Sequence, residues 1–178
     1  KILVPIDGSG SSIMAEETAV IIARKTGATV TVLHVMQELR LGYRLPRYLQ
    51  DELLGSIQQH AEKIVNDSRA LFGEEGVKVV AETVRGDPAD SILKFLKKNP
   101  DLIVMGASGE NEKDPYALGS VTRKVVMHTR RPTLLVKKVS SLSNLLVCVD
   151  SSNHSIKALK YAVELAQKIN GEIISADS

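Results

Sequence analysis

Short, β-branched apolar runs alternate with helical stretches along most of this chain, and that alternation leaves it few folds. Ile2–Ile6 reads as a buried strand, and Thr29–Val35, Val77–Thr83, Leu102–Met105 and Thr133–Val136 read as four further strands. Between them Ile13 to Lys25, Leu49 to Leu71, Ala89 to Lys98 and Ser120 to Thr129 carry helical spacing. Gly8-Ser9-Gly10-Ser11-Ser12 offers N-caps to the first helix, and Gly27 ends it. The long stripe Leu49, Leu53, Ile57, Ala61, Ile64, Ser68 and Leu71 is expected to be core. The expected fold is therefore α/β, an open parallel five-stranded sheet with helices on both faces.

The pattern then restarts. Lys1–Lys25 aligns without gaps on Asn144–Lys168, and eleven of the 25 pairs are identical, among them Asp7/Asp150, Ser9/Ser152 and Ser12/Ser155. With one extra residue before Gly171, Glu172–Ala176 falls on the second strand. Residues 1–138 are thus expected to form one domain and 139–143 a linker, with 144–178 the start of a second copy. A lone strand-helix-strand leaves an open sheet edge and an uncovered helix face. A longer natural chain, or a partner that covers the fragment, is expected; the start at Lys-Ile-Leu-Val, without Met, points the same way.

Composition removes several classes of function. The 178 residues carry 23 Lys+Arg against 21 Asp+Glu, and 3% are aromatic with no Trp. That balance argues against a nucleic-acid partner. No apolar run reaches the ~18–20 residues of a membrane helix, so no membrane contact by this segment is expected. One cysteine, Cys148, excludes an internal disulfide, fits a reducing, cytoplasmic setting, and is expected to pack in a buried strand. His34, His60, His128 and His154 show no ligand spacing, so no metal site is expected of them. Arg40, Tyr43, Arg44, Arg47 and Tyr48 offer a nucleic-acid contact, but read better as a mobile loop over the cleft or as a partner surface.

Two segments carry chemistry. Gly106-Ala-Ser-Gly109, nine residues, then Gly119-Ser120-Val121 follows an apolar strand and opens a helix. Glycines let the backbone approach an anion, and helix N-terminal amides favour negative charge. Ser120 and Thr122 would add hydroxyl donors. The Walker and dinucleotide glycine patterns are absent, since Ile13 stands where the third glycine of the latter belongs. The second segment is Val4-Pro5-Ile6-Asp7-Gly8-Ser9. Proline is tolerated at a strand's carboxyl end beside a ligand crevice. Asp7 has two readings there, an acceptor for ribose or adenine donors or an Asx-turn at the helix start.

These segments, with Gly86-Asp87-Pro88 and Asp101-Leu-Ile-Val-Met-Gly106, resemble the universal stress protein family over residues 1 to about 138. The Gly106-x2-Gly109-x9-Gly119-Ser120 spacing is similar to its ATP-binding branch. The resemblance implies a Rossmann-like sheet of order 3-2-1-4-5, with ATP, ADP or AMP held between strands 1 and 4. Pro5, Asp7 and Val35 would line the adenine and ribose, Met105 and Gly106 would lie along the ribose, and Gly109, Gly119, Ser120 and Val121 would hold phosphates. It also implies self-association through Thr133–Val136, as a homodimer or between tandem copies. Relatives often carry Arg or His before the second glycine; here Ser108 stands there and Glu110, Glu112 and Asp114 follow. Those carboxylates either point into solvent, or bring in Mg²⁺, or favour AMP over ATP.

The expected function is a nucleotide-dependent stress-response or regulatory protein, not an efficient enzyme, with slow ATP hydrolysis left open. The alternatives are a cytoplasmic regulatory domain of a larger protein such as a membrane transporter, a dimerising scaffold that binds no nucleotide, or a phosphoacceptor receiver at Asp7.

Overall fold

The computed structural model describes residues 1–38, 46–108, 118–137, 142–150 and 152–177. Five parallel strands, β1 (Ile2–Ile6), β2 (Val30–Met36), β3 (Val79–Arg85), β4 (Leu102–Gly106) and β5 (Thr133–Val136), form one sheet in the order β3-β2-β1-β4-β5. This is the expected order. Every residue of β4 is buried, whereas β3, at one edge, alternates between partly covered and open positions.

Helices cover both faces because strand side chains alternate. Ile2, Val4 and Ile6 pack on the side of α1 (Gly10–Thr26) and α2 (Arg47–Glu74), whose Ala19, Ile64 and Phe72 close that core. Leu3, Leu33 and Ile103 point the other way, onto Ala89 and Ile92 of α3 (Pro88–Phe95) and Val125 of α4 (Ser120–His128).

Two expectations about burial are corrected. The α2 stripe is core only in its second half, for Leu49 is 37% and Leu53 40% exposed while Ala61, Ile64 and Ser68 are buried. The cause is length. The 28 residues of α2 span about 42 Å, and the seven of β2 about 23 Å, so the first turns of the helix overrun the sheet. Cys148 is exposed, not buried. It lies on β6 (Asn144–Val149), where Leu145 and Val147 turn inward and Leu146 and Cys148 turn out.

β6 pairs in parallel with β7 (Glu172–Asp177) across α5 (Asn153–Ile169), forming a separate two-stranded sheet. Its register copies that of β1 and β2. Ile2↔Val30 becomes Leu145↔Ile173, an offset of 143 in both strands. No extra residue is needed before Gly171. Asn170 holds the left-handed cap of α5 at φ 57°, as Gly27 does for α1 at φ 66°. Leu165, Ala166 and Ile169 join the core on the α1 side. On the other face Leu146 is 66% exposed, whereas its counterpart Leu3 is 1% exposed beneath α3 and α4.

Candidate functional site

A cleft of about 390 Å³ opens at the carboxyl ends of the central strands, a size suited to a small ligand. It arises because β1 and β4 part company. Their ladder runs only through Ile2↔Leu102 and Leu3↔Ile103. Pro5 lies beyond the last of these pairs, so β4 asks no donor of it.

The turn after β1 forms one wall. Asp7 Oδ1 accepts from the Ser9 amide at 3.0 Å, so the Asx-turn reading holds. That bond occupies one carboxylate oxygen while Asp7 still lines the cleft. Gly8 takes φ +81°, and a Cβ there would meet Ile64 at 3.0 Å, so the turn and α2 pack closely. Ser9 caps α1 by accepting from the Ser12 amide at 3.1 Å. The same geometry recurs 143 residues on. Ser152 caps α5 through Ser155 at 3.1 Å. Hydrogen bonds from the Ser152 hydroxyl and amide, then the Ser155 hydroxyl, hold the Asp150 carboxyl down at about 2 against an ordinary 3.8.

The end of β4 and the start of α4 form the opposite wall. A Cβ on Gly106 would clash with Ser11, including that residue's carbonyl carbon at 2.7 Å, so Gly106 is first a packing glycine against α1. The Ser108 amide donates to Ser11 Oγ at 3.3 Å. Gly119 donates to the Ala107 carbonyl at 2.9 Å and then opens α4 with no side-chain cap. Among the described residues the first-turn amides of α4 therefore have no side-chain capping oxygen. Thr122 departs from expectation. Its buried hydroxyl donates to the Gly106 carbonyl at 2.9 Å, so that proton is committed to the fold and not to a phosphate.

Pro5, Asp7, Val35, Met105, Gly106, Gly119, Ser120 and Val121 all line this one cleft. Gly109 lies outside the described residues, as do Glu110, Glu112, Asp114, Arg40, Tyr43 and Arg44, whereas Arg47 and Tyr48, expected in a loop, open helix α2 instead. Residue patterning did not single out His34, Ile57, His60 and Pro88, which line it too. His34 Nδ1 lies 3.0 Å from the Ile6 carbonyl; a carbonyl only accepts, so Nδ1 carries the proton. The α2 residues had a readable signal, since Ile57 and Ile64 belong to the apolar stripe.

Charge is sparse. Among the described lining residues Asp7 is the one carboxylate, and no Lys or Arg takes part. Lys124 of α4 instead reaches Asp90 of α3 at 2.9 Å and Asp87, the N-cap of that helix, at 3.3 Å. Those bonds raise the Lys124 ammonium above its ordinary value. The Asp90 amide, with Lys124 adding to it, holds the Asp87 carboxyl below its own. Among the described residues no three His, Cys, Asp or Glu side chains gather as a metal site.

A doubly wound sheet with a glycine-lined, anion-ready cleft at its switch point defines the class of small-ligand-binding α/β domains. The universal stress protein family profile matches residues 1–137, and the chain belongs to that family. A universal stress protein of Methanocaldococcus jannaschii is 34% identical over 140 residues, covering 78% of this chain and 82% of its own length. The solved universal stress protein UspA of Lactobacillus plantarum superposes with a TM-score of 0.67 at 30% identity, over 76% of this chain and 95% of that one. A universal stress protein of Archaeoglobus fulgidus reaches 0.74 at 26% identity, over 98% of this chain and 66% of that one. Two more distant structures share the fold, a universal stress protein in complex with cAMP at 24% identity and one from Arabidopsis thaliana with AMP bound at 23%.

Proposed function

We propose that the cleft binds an adenine nucleotide and that the bound state regulates what the protein contacts in a stress response. The observation that carries this is the uncapped start of α4 at Gly119-Ser120, set across the cleft from Asp7. Phosphates meet free amides and the positive end of a helix dipole. Asp7 keeps one carboxylate oxygen for ribose or adenine donors, and Pro5, Val35 and Met105 supply apolar walls for the base and sugar. Gly109 would complete the phosphate path. Nucleotide-bound relatives of the same fold support the reading.

The sparse positive charge favours AMP over ATP unless a divalent cation travels with the triphosphate. Mg²⁺ would then be held by the phosphates, with Asp7 the nearest described carboxylate. The protein acts as a binder and not as an efficient hydrolase. Asp7 is engaged in its turn and His34 Nδ1 in its carbonyl bond, so neither is free to activate water through those atoms.

Residues 1–138 form the nucleotide-binding unit, and 144–178 begin a second unit of the same kind. Self-association runs through β5, which ends the five-stranded sheet. Among the described residues no helix is long and apolar enough to cross a membrane. A cytoplasmic setting accords with the free, exposed thiol of Cys148.

The test is direct. Purified protein is denatured, the supernatant is run on ion exchange with detection at 260 nm, and stripped protein is titrated calorimetrically with AMP and ATP, with and without Mg²⁺. Stoichiometric nucleotide or micromolar binding supports the reading. Folded protein that releases none and gives no heat overturns it and leaves a dimerising scaffold.

A further inference from the structure

The cleft has two unlike halves, and the alternation of side chains along β2 divides them. Leu33 and Val35 point to the face covered by α3 and α4, where Ile92, Met105 and Val121 join them. Together they form an apolar slot that suits a planar ring. His34 follows Val30 and Val32 in the alternation, so it points to the other face, that of Ile6 and of Ile64 on α2. That half of the cleft is polar.

The hydrogen bonding of His34 is fixed on one side and open on the other. Its Nδ1–H is committed to the Ile6 carbonyl at 3.0 Å, so in the neutral ring Nε2 carries a lone pair and no proton. Nε2 has no hydrogen-bond partner among the described residues. Nor is it sealed in the core, for the one buried, unpaired side-chain atom among those residues is Glu16 Oε2. His34 lines the cleft while only 8% exposed, so the cleft is where Nε2 meets solvent. Asp7, whose carboxylate keeps one oxygen free, directly follows the Ile6 carbonyl that holds the imidazole. Two acceptors thus stand on neighbouring parts of the site.

An acceptor left unpaired in a ligand site selects for a donor. An adenine nucleotide offers donors in two places, the amine on the edge of the base and the two hydroxyls of the ribose. The amine goes with the base into the apolar slot, on the face opposite His34. The phosphates go to the start of α4. The sugar lies between, within the polar half.

We infer that His34 reads the sugar: Nε2 accepts a hydrogen bond from one ribose hydroxyl while the free oxygen of Asp7 accepts from the other, so the cleft selects ribonucleotides over deoxyribonucleotides. The inference rests on the nucleotide reading above. The Ile6 carbonyl sets both the tautomer and the angle of the ring, which makes His34 an acceptor at a defined place. A deoxynucleotide would put a methylene where a donor is needed and leave a desolvated lone pair unpaired.

The experiment titrates AMP, 2′-deoxy-AMP and 3′-deoxy-AMP calorimetrically into the full chain, as wild type and as His34→Phe. In wild type each deoxynucleotide is expected to bind about fivefold or more weaker than AMP. In His34→Phe one of the two penalties is expected to shrink below about twofold, while the other, set by Asp7, persists. Wild type alone supplies a second readout, the Nε2 resonance of His34 in long-range proton–nitrogen NMR. It is expected to move to lower frequency when AMP binds, and to move less with the deoxynucleotide that lacks the contacted hydroxyl. If His34→Phe does not fold, this comparison decides. Equal penalties in the two proteins, or an Nε2 resonance that responds alike to all three nucleotides, overturn the role of His34 and leave the nucleotide reading standing. Folded wild type that binds none of the three overturns the nucleotide reading, and the sugar contact with it.

Discussion

The hydroxyl of Thr122 donates to the carbonyl of Gly106 at 2.9 Å, and that bond ties the first turn of α4 to the end of β4. It spans 16 residues of sequence, and the loop it closes carries the glycines expected to meet phosphate. The bond sets where the open amides of α4 point, which is the property on which anion binding depends.

Thr122→Val keeps the shape and removes the donor. Because Thr122 is buried, the Gly106 carbonyl is left without this partner, at a cost of roughly 1–3 kcal/mol. A lower Tm is expected together with weaker nucleotide binding, and Thr122→Ser should restore both. Calorimetric titration beside thermal melting checks it. Full affinity in Thr122→Val would show that the α4 amides are positioned by other contacts.

Gly106→Ala should fail for a packing reason. The added Cβ would meet the Ser11 side chain and also its backbone carbonyl carbon and oxygen, both at 2.7 Å. A loss of about 1–3 kcal/mol or more is expected, as for overpacked cores. Ser11→Gly should not rescue it, because the backbone atoms of residue 11 remain. Rescue in the double variant, read by chemical denaturation, would show that α1 yields more readily than its packing implies.

Much of this was legible in the sequence. The five strands and their helices follow from apolar runs such as Leu102–Met105, a stretch the fold buries throughout. The glycine spacing marks Gly106 and Gly119, which line the cleft. What was not legible depends on distances between elements. The exposure of Leu49 and Leu53 follows from α2 being longer than the strands beneath it, which the helical period alone cannot reveal. The hydroxyl of Thr122 looks free until its carbonyl partner is known. Glu16 sits in an ordinary helical repeat, and only the packing of α2 shows that it is buried. Asn170 was hidden because glycine is the usual left-handed cap, and Gly171 stands next to it as a decoy.

Gly119→Val separates the site from the fold. Gly119 takes φ −56° and ψ 148°, a conformation open to any residue, so the backbone does not demand glycine. The variant should melt within a few degrees of wild type and lose nucleotide binding, because a branched side chain would stand at the mouth of the phosphate path. Unchanged affinity in a folded Gly119→Val protein would place the phosphates elsewhere.

Lys124 gives the opposite control. Its ammonium is drawn to Asp90 on α3 and to Asp87, which caps that helix, and it does not line the cleft. Lys124→Gln should leave AMP affinity within about twofold of wild type, and solvent screening of this exposed pair should leave stability little changed. A tenfold loss on titration would mean that the lysine leaves its carboxylates to meet the ligand.

The pH dependence of stability follows from Glu16. Its folded carboxyl titrates at about 7, above its ordinary 4.5, so the native state binds more protons than the unfolded state between those values. Stability is therefore full below the lower value and falls as pH rises through the upper one. The shift corresponds to about 3 kcal/mol at 1.36 kcal/mol per unit. Glu16→Gln removes the titration, and Glu16→Leu reproduces the residue that α5 carries at the matching position. Both variants should match or trail wild type near pH ~3, since the acid is then neutral in either state. Near pH ~8 they should exceed it, the leucine by more, because it leaves no polar atom to bury. Urea denaturation of the three proteins across that range measures the difference. Parallel curves from acid to alkaline pH would mean that Glu16 stays ionised and hydrated in the native protein.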